Sequence, residues 1–250
     1  MIDKRQTIAK NIARYFKDGD FINLGIGIPV MSANYIPEGV DITIHAESGF
    51  AGQKQAIVPP WQQCEQTEEE INRLFGDEKW GDLENGYKVG HRDLCDASGN
   101  MAILADNASC FDSLMSFTMA RGGHLDATVL GGLQVDEAGN LANWMVPGGL
   151  VPGMGGAMDL VSGAKKVIVA MEHTSKNGEP KLLKECTFPL TALGCVSVVV
   201  TDKCIVEFID GKMTVVAMAP DITREELQAI TEAELAFVDE PDVMDIVEKA

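Results

Sequence analysis

The stretch Ile42-Thr43-Ile44-His45-Ala46-Glu47-Ser48-Gly49-Phe50 sets how the rest of this chain is read. Its first residues are rich in β-branched side chains and predict a strand entered near Val40. That strand runs into one acidic residue, Glu47, and Ser48 with Gly49 then turns the chain away. A carboxylate just before a glycine turn stands at the C-terminal edge of a sheet, where open α/β proteins bind their ligands. A solvated Glu in a turn has the same local sequence, so the weight falls on the residues around it.

On either side of this stretch the chain alternates strand, glycine loop and helix. Residues 3–17 predict an amphipathic helix with Ile8, Ile12, Tyr15 and Phe16 on one face. Phe21 to Leu24 reads as a short apolar strand, followed by Gly25-Ile26-Gly27-Ile28-Pro29 and a helix over residues 29–35. Strand, glycine loop and helix is the form that cradles an anion on backbone N–H groups. The spacing is G-x-G-x-P with no acidic residue at the ribose distance, so it is a poor dinucleotide fingerprint. Residues 54–90 differ in composition, with Pro59-Pro60, the run Glu68-Glu69-Glu70 and several glycines. They read as an excursion, with a helix over 67–75 capped by Thr67.

Farther on, strands are expected over 102–105, 125–130, 167–171 and 196–200, and helices over 113–120 and 157–163. Asp210-Gly211 between two apolar runs marks a hairpin. Thr223 and Glu226 form a capping box for a helix over 223–231. The acidic tail from Glu234 is expected to lie on the surface. The whole pattern predicts one α/β domain over residues 1–250, with an open, mainly parallel sheet flanked by helices.

Composition narrows the function. Of 250 residues, 46% are hydrophobic and 23% charged, enough to fill a core. A net charge of −18 argues against nucleic acid, which needs a basic footprint. It also means that an anionic substrate must be held by backbone amides, helix N-termini or a partner chain. No run reaches the roughly 18 apolar residues of a membrane span, and no signal-peptide core follows Met1, so a soluble cytoplasmic protein is expected. The six cysteines form no C-x-x-C pair and are expected to be buried free thiols. The four histidines show no ligand spacing, so no metal is expected. No G-x-S-x-G elbow is present. His124, after Gly122-Gly123, is either catalytic or a hydrogen-bonded structural histidine. Asp159 is expected to cap or pair locally. The loop Gly153-Met154-Gly155-Gly156 leads straight into a helix, which either builds an oxyanion hole from backbone amides or only permits close packing.

Several motifs, in order, resemble the β subunit of family I CoA-transferases, the enzymes of 3-oxo acids and short-chain fatty acids. They are Asn23-Leu24-Gly25-Ile26-Gly27-Ile28-Pro29, Glu47-Ser48-Gly49, Arg121-Gly122-Gly123-His124-Leu125-Asp126 and the run from Gly139 to Pro147. The run from Val151 to Leu160, Met171-Glu172-His173 and Cys186 to Thr191 continue the series. The resemblance implies the open α/β fold shared with some sugar-phosphate isomerases. It implies that Glu47 is the nucleophile and that the backbone amides of Gly155, Gly156 and Ala157 form the oxyanion site. Asn23, Gly25, Gly27 and Asn143 would line the substrate and CoA site. A separate α subunit would supply most of the CoA surface, in an α2β2 heterotetramer. Coenzyme A would be a substrate, held transiently as a glutamyl-CoA thioester, with no other cofactor. Acetoacetate, butyrate and acetate are the expected acids.

The chain also departs from this pattern. Ser48 replaces a common Asn, Gly52-Gln53-Lys54 replaces a Gly-x-Gly-Pro turn, and Gly149 stands where a lysine is common. These changes flank the acyl site, so 3-oxoadipate or an unusual keto or amino acid is an alternative substrate. An acyl-CoA hydrolase or an isomerase on the same fold is the alternative activity, and a non-catalytic subunit would have lost the glutamate.

Overall fold

A computed structural model describes residues 2–54, 91–95, 101–149 and 153–249. Most of the expected excursion and its helix over 67–75 lie outside them. The described elements are α1 (Lys4–Ile12), β1 (Phe21–Leu24), α2 (Ile28–Met31), β2 (Thr43–Ala46), β3 (Phe50–Lys54), β4 (His91–Cys95) and β5 (Met101–Cys110). Then follow α3 (Ser113–Arg121), β6 (Ala127–Gly131), β7 (Gln134–Asp136), β8 (Leu141–Ala142), α4 (Ala157–Gly163), β9 (Val167–Ala170) and β10 (Leu182–Leu183). The chain ends in β11 (Val198–Val200), β12 (Cys204–Ile209), β13 (Lys212–Met218), α5 (Arg224–Ala229) and β14 (Ala236–Val243).

One 11-stranded sheet runs β14-β13-β12-β11-β9-β6-β1-β2-β3-β5-β4. Its centre, β2-β1-β6-β9-β11, is parallel throughout. These strands are covered on both faces, which is why they read as unbroken apolar runs: all four residues of β9 are buried. Ile22, Leu24, Ile44, Val129 and Ile168 pack on Ile8 and Ile12 of α1. Leu130, Val169 and Val199 pack on the other side with Leu160 and Val161 of α4. The chain leaves β1 towards β2 and returns on the far side as β6, so strand order reverses between β1 and β6. In open α/β sheets such a reversal is where ligands bind, outside the C-terminal ends of the strands.

Antiparallel strands extend the sheet at both edges. Beyond β2, a three-residue loop, Glu47-Ser48-Gly49, folds β3 back on β2, and β5 and β4 follow. β3 is not visible in the sequence, because its Gly52 breaks the pattern. Gly52 (φ +92°) sits in a bulge against β5, where an added Cβ would lie 3.0 Å from Ala108 Cα. β5 also runs farther than the four residues expected. Beyond β11, the expected hairpin forms, with Asp210 (φ 51°) and Gly211 (φ 74°) in the left-handed region that a type I′ turn requires.

The tail lies at the surface as expected, and it is also ordered there: residues 236–243 form the edge strand β14, parallel to β13. Asn11 Nδ2 donates to the Asp245 carbonyl (2.8 Å), Val247 N donates to Thr7 Oγ1 (3.0 Å), and Met244 is buried. The tail and the N-terminal helix therefore clamp each other.

A second, three-stranded sheet, β10-β7-β8, carries the buried carboxylate of Asp136. It accepts from Ala138 N, Asn140 N, Asn140 Nδ2 and Cys186 N at 3.0–3.1 Å. Among the cysteines, Cys204 is fully buried and burial pushes its thiol up to about 12, whereas Cys110 is exposed, contrary to the expectation of buried thiols throughout. The described residues contain no helix long and apolar enough to cross a membrane. α5 carries its capping box: Thr223 Oγ1 accepts from Glu226 N (3.2 Å) and Glu226 Oε2 accepts from Thr223 N (2.9 Å). Thr223→Ala is expected to lower the melting temperature by about 2–4 °C in calorimetry, with activity unchanged.

Candidate active site

Glu47 is the first residue of the loop between β2 and β3, at the C-terminal edge of the parallel sheet. Gly49 closes that loop. Its N–H donates to the Ala46 carbonyl (3.0 Å), and its φ of +124° suits a residue without a Cβ. An added Cβ at Gly49 would collide with the Phe111 carbonyl oxygen. Phe111 N in turn donates to the Gly49 carbonyl (2.8 Å), so the loop is fastened to the segment entering α3.

The Glu47 carboxylate is half-buried and meets Asn23 of β1: Asn23 Nδ2 donates to Glu47 Oε2 at 3.1 Å. Asn23 is fully buried, and its Oδ1 accepts from Thr128 Oγ1 of β6 at 3.3 Å. The two expected glycine loops take their places at this edge. Gly25 packs so closely on β6 that an added Cβ would lie 3.0 Å from the Val129 oxygen. Gly27 (φ +84°) precedes α2. Gly156 caps α4 and lies beside the carboxylate: an added Cβ would be 3.9 Å from Glu47 Cγ and 2.8 Å from the Phe117 ring. The N–H groups of the first turn of α4, beginning at Ala157, have no acceptor within the helix. Glu47, Asn23 and Gly156, remote in sequence, are thus neighbours. Gly155 (φ +57°) precedes Gly156 in the turn that enters α4.

Asn143 lies just past β8, where its Oδ1 accepts from Thr191 Oγ1 (2.6 Å). Asp159 pairs locally, accepting from Arg121 Nε at 2.7 Å. His124 is exposed and follows α3 at the N-terminal end of β6, the edge opposite Glu47. Exposure and that position fit neither role expected of it. Among the described residues, no cluster of histidine, cysteine and acidic side chains could hold a metal ion.

The residue that sequence reasoning passed over is His45. It is 1% exposed, pairs with Asn23 across β1 and β2, and approaches Ser116 Oγ of α3 at 2.9 Å through Nε2. Burial holds its pKa down to about 4, so the ring is neutral. The available signal was a polar residue at the same level of three largely apolar strands: Thr128, Asn23 and His45, which register places side by side, each buried.

The chain matches the family model described as Coenzyme A transferase over residues 5–78 and 91–229. It is 46% identical over 232 residues to the beta subunit of the acetate CoA-transferase of Escherichia coli K12, a match that covers 93% of both chains. It is 41% identical to one subunit of the probable succinyl-CoA:3-ketoacid coenzyme A transferase of Bacillus subtilis, covering 94% of this chain and 96% of the relative. In structure it resembles the acyl-CoA transferase YdiF of Escherichia coli O157:H7, with a TM-score of 0.66 at 16% identity. That likeness, which shows the shared fold, covers 97% of this chain and 43% of the longer YdiF chain. The chain therefore belongs to the coenzyme A transferase family, and it is an enzyme that transfers coenzyme A.

Proposed function

We propose that this chain is the nucleophile-bearing β subunit of a cytoplasmic CoA-transferase acting on short-chain acyl- or 3-oxoacyl-CoA and a free carboxylic acid. The observation that carries the reading is the placement of Glu47: a carboxylate at the sheet edge, bonded to Asn23 and flanked by the Gly156 turn. One oxygen of Glu47 attacks the acyl-CoA thioester and expels CoA thiolate, forming an acyl-glutamyl anhydride. The thiolate then attacks the glutamyl carbonyl and releases the first acid, leaving a glutamyl-CoA thioester. The second acid repeats the sequence in reverse. Two easier covalent steps replace a direct exchange, the acyl potential is conserved, and coenzyme A is the substrate with no further cofactor.

Each step builds negative charge on an oxygen. The Asn23 amide, already directed at Oε2, and the Gly155, Gly156 and Ala157 amides are the donors available to it. Loss of one such donor costs about 3 kcal/mol of barrier. Both curated relatives are named as single subunits of their enzymes, the Escherichia coli one as a beta subunit, which supports an α partner here, in an α2β2 assembly. So does the surface around Glu47. Ile26 after β1, Leu114 and Met115 in the first turn of α3, and Met158 in the first turn of α4 are 52–71% exposed. A chain seated on these side chains would bury them and bring the positive charge that this acidic protein lacks.

The reading is tested with the protein co-expressed with its α partner. Acyl-CoA is supplied without an acceptor acid, and the complex is treated with borohydride. Reduction of a thioester at Glu47, found by peptide mass spectrometry together with loss of activity, is the expected result. Label on another residue, or full activity after treatment, would refute it. A panel of acetate, butyrate, acetoacetate and 3-oxoadipate in the same preparation ranks the acids.

A further inference from the structure

We propose that His45 is a positioning residue: a neutral imidazole, protonated on Nε2, that aims the Asn23 carboxamide at Glu47. The proposal rests on the reading of Glu47 as nucleophile. Asn23 Nδ2 lies 3.2 Å from the His45 carbonyl oxygen and 3.1 Å from Glu47 Oε2, and both of these atoms can only accept. Its Oδ1 faces the Thr128 hydroxyl. The amide orientation is therefore settled by its partners.

His45 Nδ1 stands 3.2 Å from the same Nδ2. Facing a donor that has no lone pair to offer, Nδ1 must carry its own lone pair. The ring proton is left on Nε2, which donates to Ser116 Oγ at 2.9 Å. Protonation of Nδ1 would set two donors against each other. The ring has little freedom to turn away: Phe21 meets it edge-on at 5.4 Å and Phe111 stacks on it at 6.1 Å. A relay results, in which Ser116 fixes the histidine, the histidine fixes the asparagine, and the asparagine holds Oε2 of the nucleophile. Oε1 is left to attack.

The relay explains why a histidine is buried between Ile44 and Ala46 in the interior of the sheet. It also joins α3 to the site through a side chain that touches no substrate. Misplacing a reacting group by about 1 Å can cost 10²-fold in rate, so the relay acts on the chemical step and leaves acyl-CoA binding alone.

The test follows the rate at which the Glu47–CoA adduct forms, by quenched-flow mass spectrometry of the complex with its α partner. His45→Leu fills the site but carries no hydrogen bond. It is expected to slow adduct formation about 10²-fold, with KM for acyl-CoA within about threefold of wild type. His45→Gln offers an acceptor to Asn23 and a donor to Ser116, and is expected to recover most of the loss. Ser116→Ala, which leaves Nε2–H without its acceptor, is expected to slow the step by about 3–10-fold and serves if the leucine variant does not assemble. Adduct formation at the wild-type rate in His45→Leu, or in Ser116→Ala if only that variant assembles, overturns the proposal. So does a glutamine variant as slow as the leucine one, since ring volume would then be what matters. If the wild-type complex forms no adduct at Glu47, the nucleophile reading falls and this proposal with it. A wild-type adduct with unaffected variants removes this proposal alone.

Discussion

Glu47→Ala is expected to lower kcat by about 10⁴-fold or more, the scale seen when a covalent nucleophile is removed. The folded protein should be nearly unchanged. Glu47 is only half-buried and lies in a turn, and Asn23 Nδ2 keeps the His45 carbonyl and Nδ1 as acceptors. A shift in denaturation midpoint beyond the ordinary range for surface substitutions, about 0.5 kcal/mol, would show that the residue is structural. The measurement is steady-state transfer between acyl-CoA and acceptor acid in the α–β complex. Activity above a hundredth of wild type would eliminate Glu47 as nucleophile. Glu47→Asp separates reach from charge. Its carboxylate falls one C–C bond short of the Asn23 amide, and the resulting misalignment is expected to cost about 10²-fold.

Gly49→Ala is the second large effect. It removes no reacting group and moves the loop that carries Glu47. The glycine has φ +124°, where an L side chain is strained by about 1–3 kcal/mol. The new Cβ would also collide with the Phe111 carbonyl oxygen. Relief requires either opening the three-residue loop between β2 and β3 or pushing away the segment before α3. The first displaces Glu47. The second breaks the 2.8 Å bond from Phe111 N to the Gly49 carbonyl and shifts the ring that stacks on His45. A loss of about 10²-fold in kcat is expected together with a lower melting temperature. Gly19→Ala is the control. Gly19 has φ +81° but open space around it, in the loop before β1, at the edge of the sheet opposite Glu47. It should lose a little stability and no activity. Equal activity losses in the two variants would mean that backbone strain anywhere, not the placement of Glu47, governs the rate.

The glycines of both loops, the strand ending on Glu47 and the cap of α5 were legible because each is a local matter. A helix start, a hairpin turn or a strand end is decided by φ, ψ and hydrogen bonds within a few residues, and the residue types that satisfy them are few. α4 spans residues 157–163 as expected, and the hairpin at Asp210-Gly211 forms where its dipeptide places it. Misreadings arose where a distant partner decides the outcome. β3 carries a glycine at a bulge and exists because β2 and β5 lie on either side of it. β14 is acidic and partly exposed, and is a strand because β13 pairs with it, while Asn11 and Thr7 of α1 fasten the residues that follow it. His124 stood in a recognisable motif and yet lies at the wrong edge of the sheet.

Residue types and their spacing were enough to establish an α/β chain with one carboxylate at a strand end and two glycine loops suited to hold an anion. What touches that carboxylate was left to the packing of the whole molecule. Asn23, His45 and Thr128 are neighbours because parallel register sets strands β1, β2 and β6 side by side, and Ser116 joins them because α3 lies across that face. Lateral register depends on how the whole sheet packs against its helices. No window of sequence around Glu47 contains it.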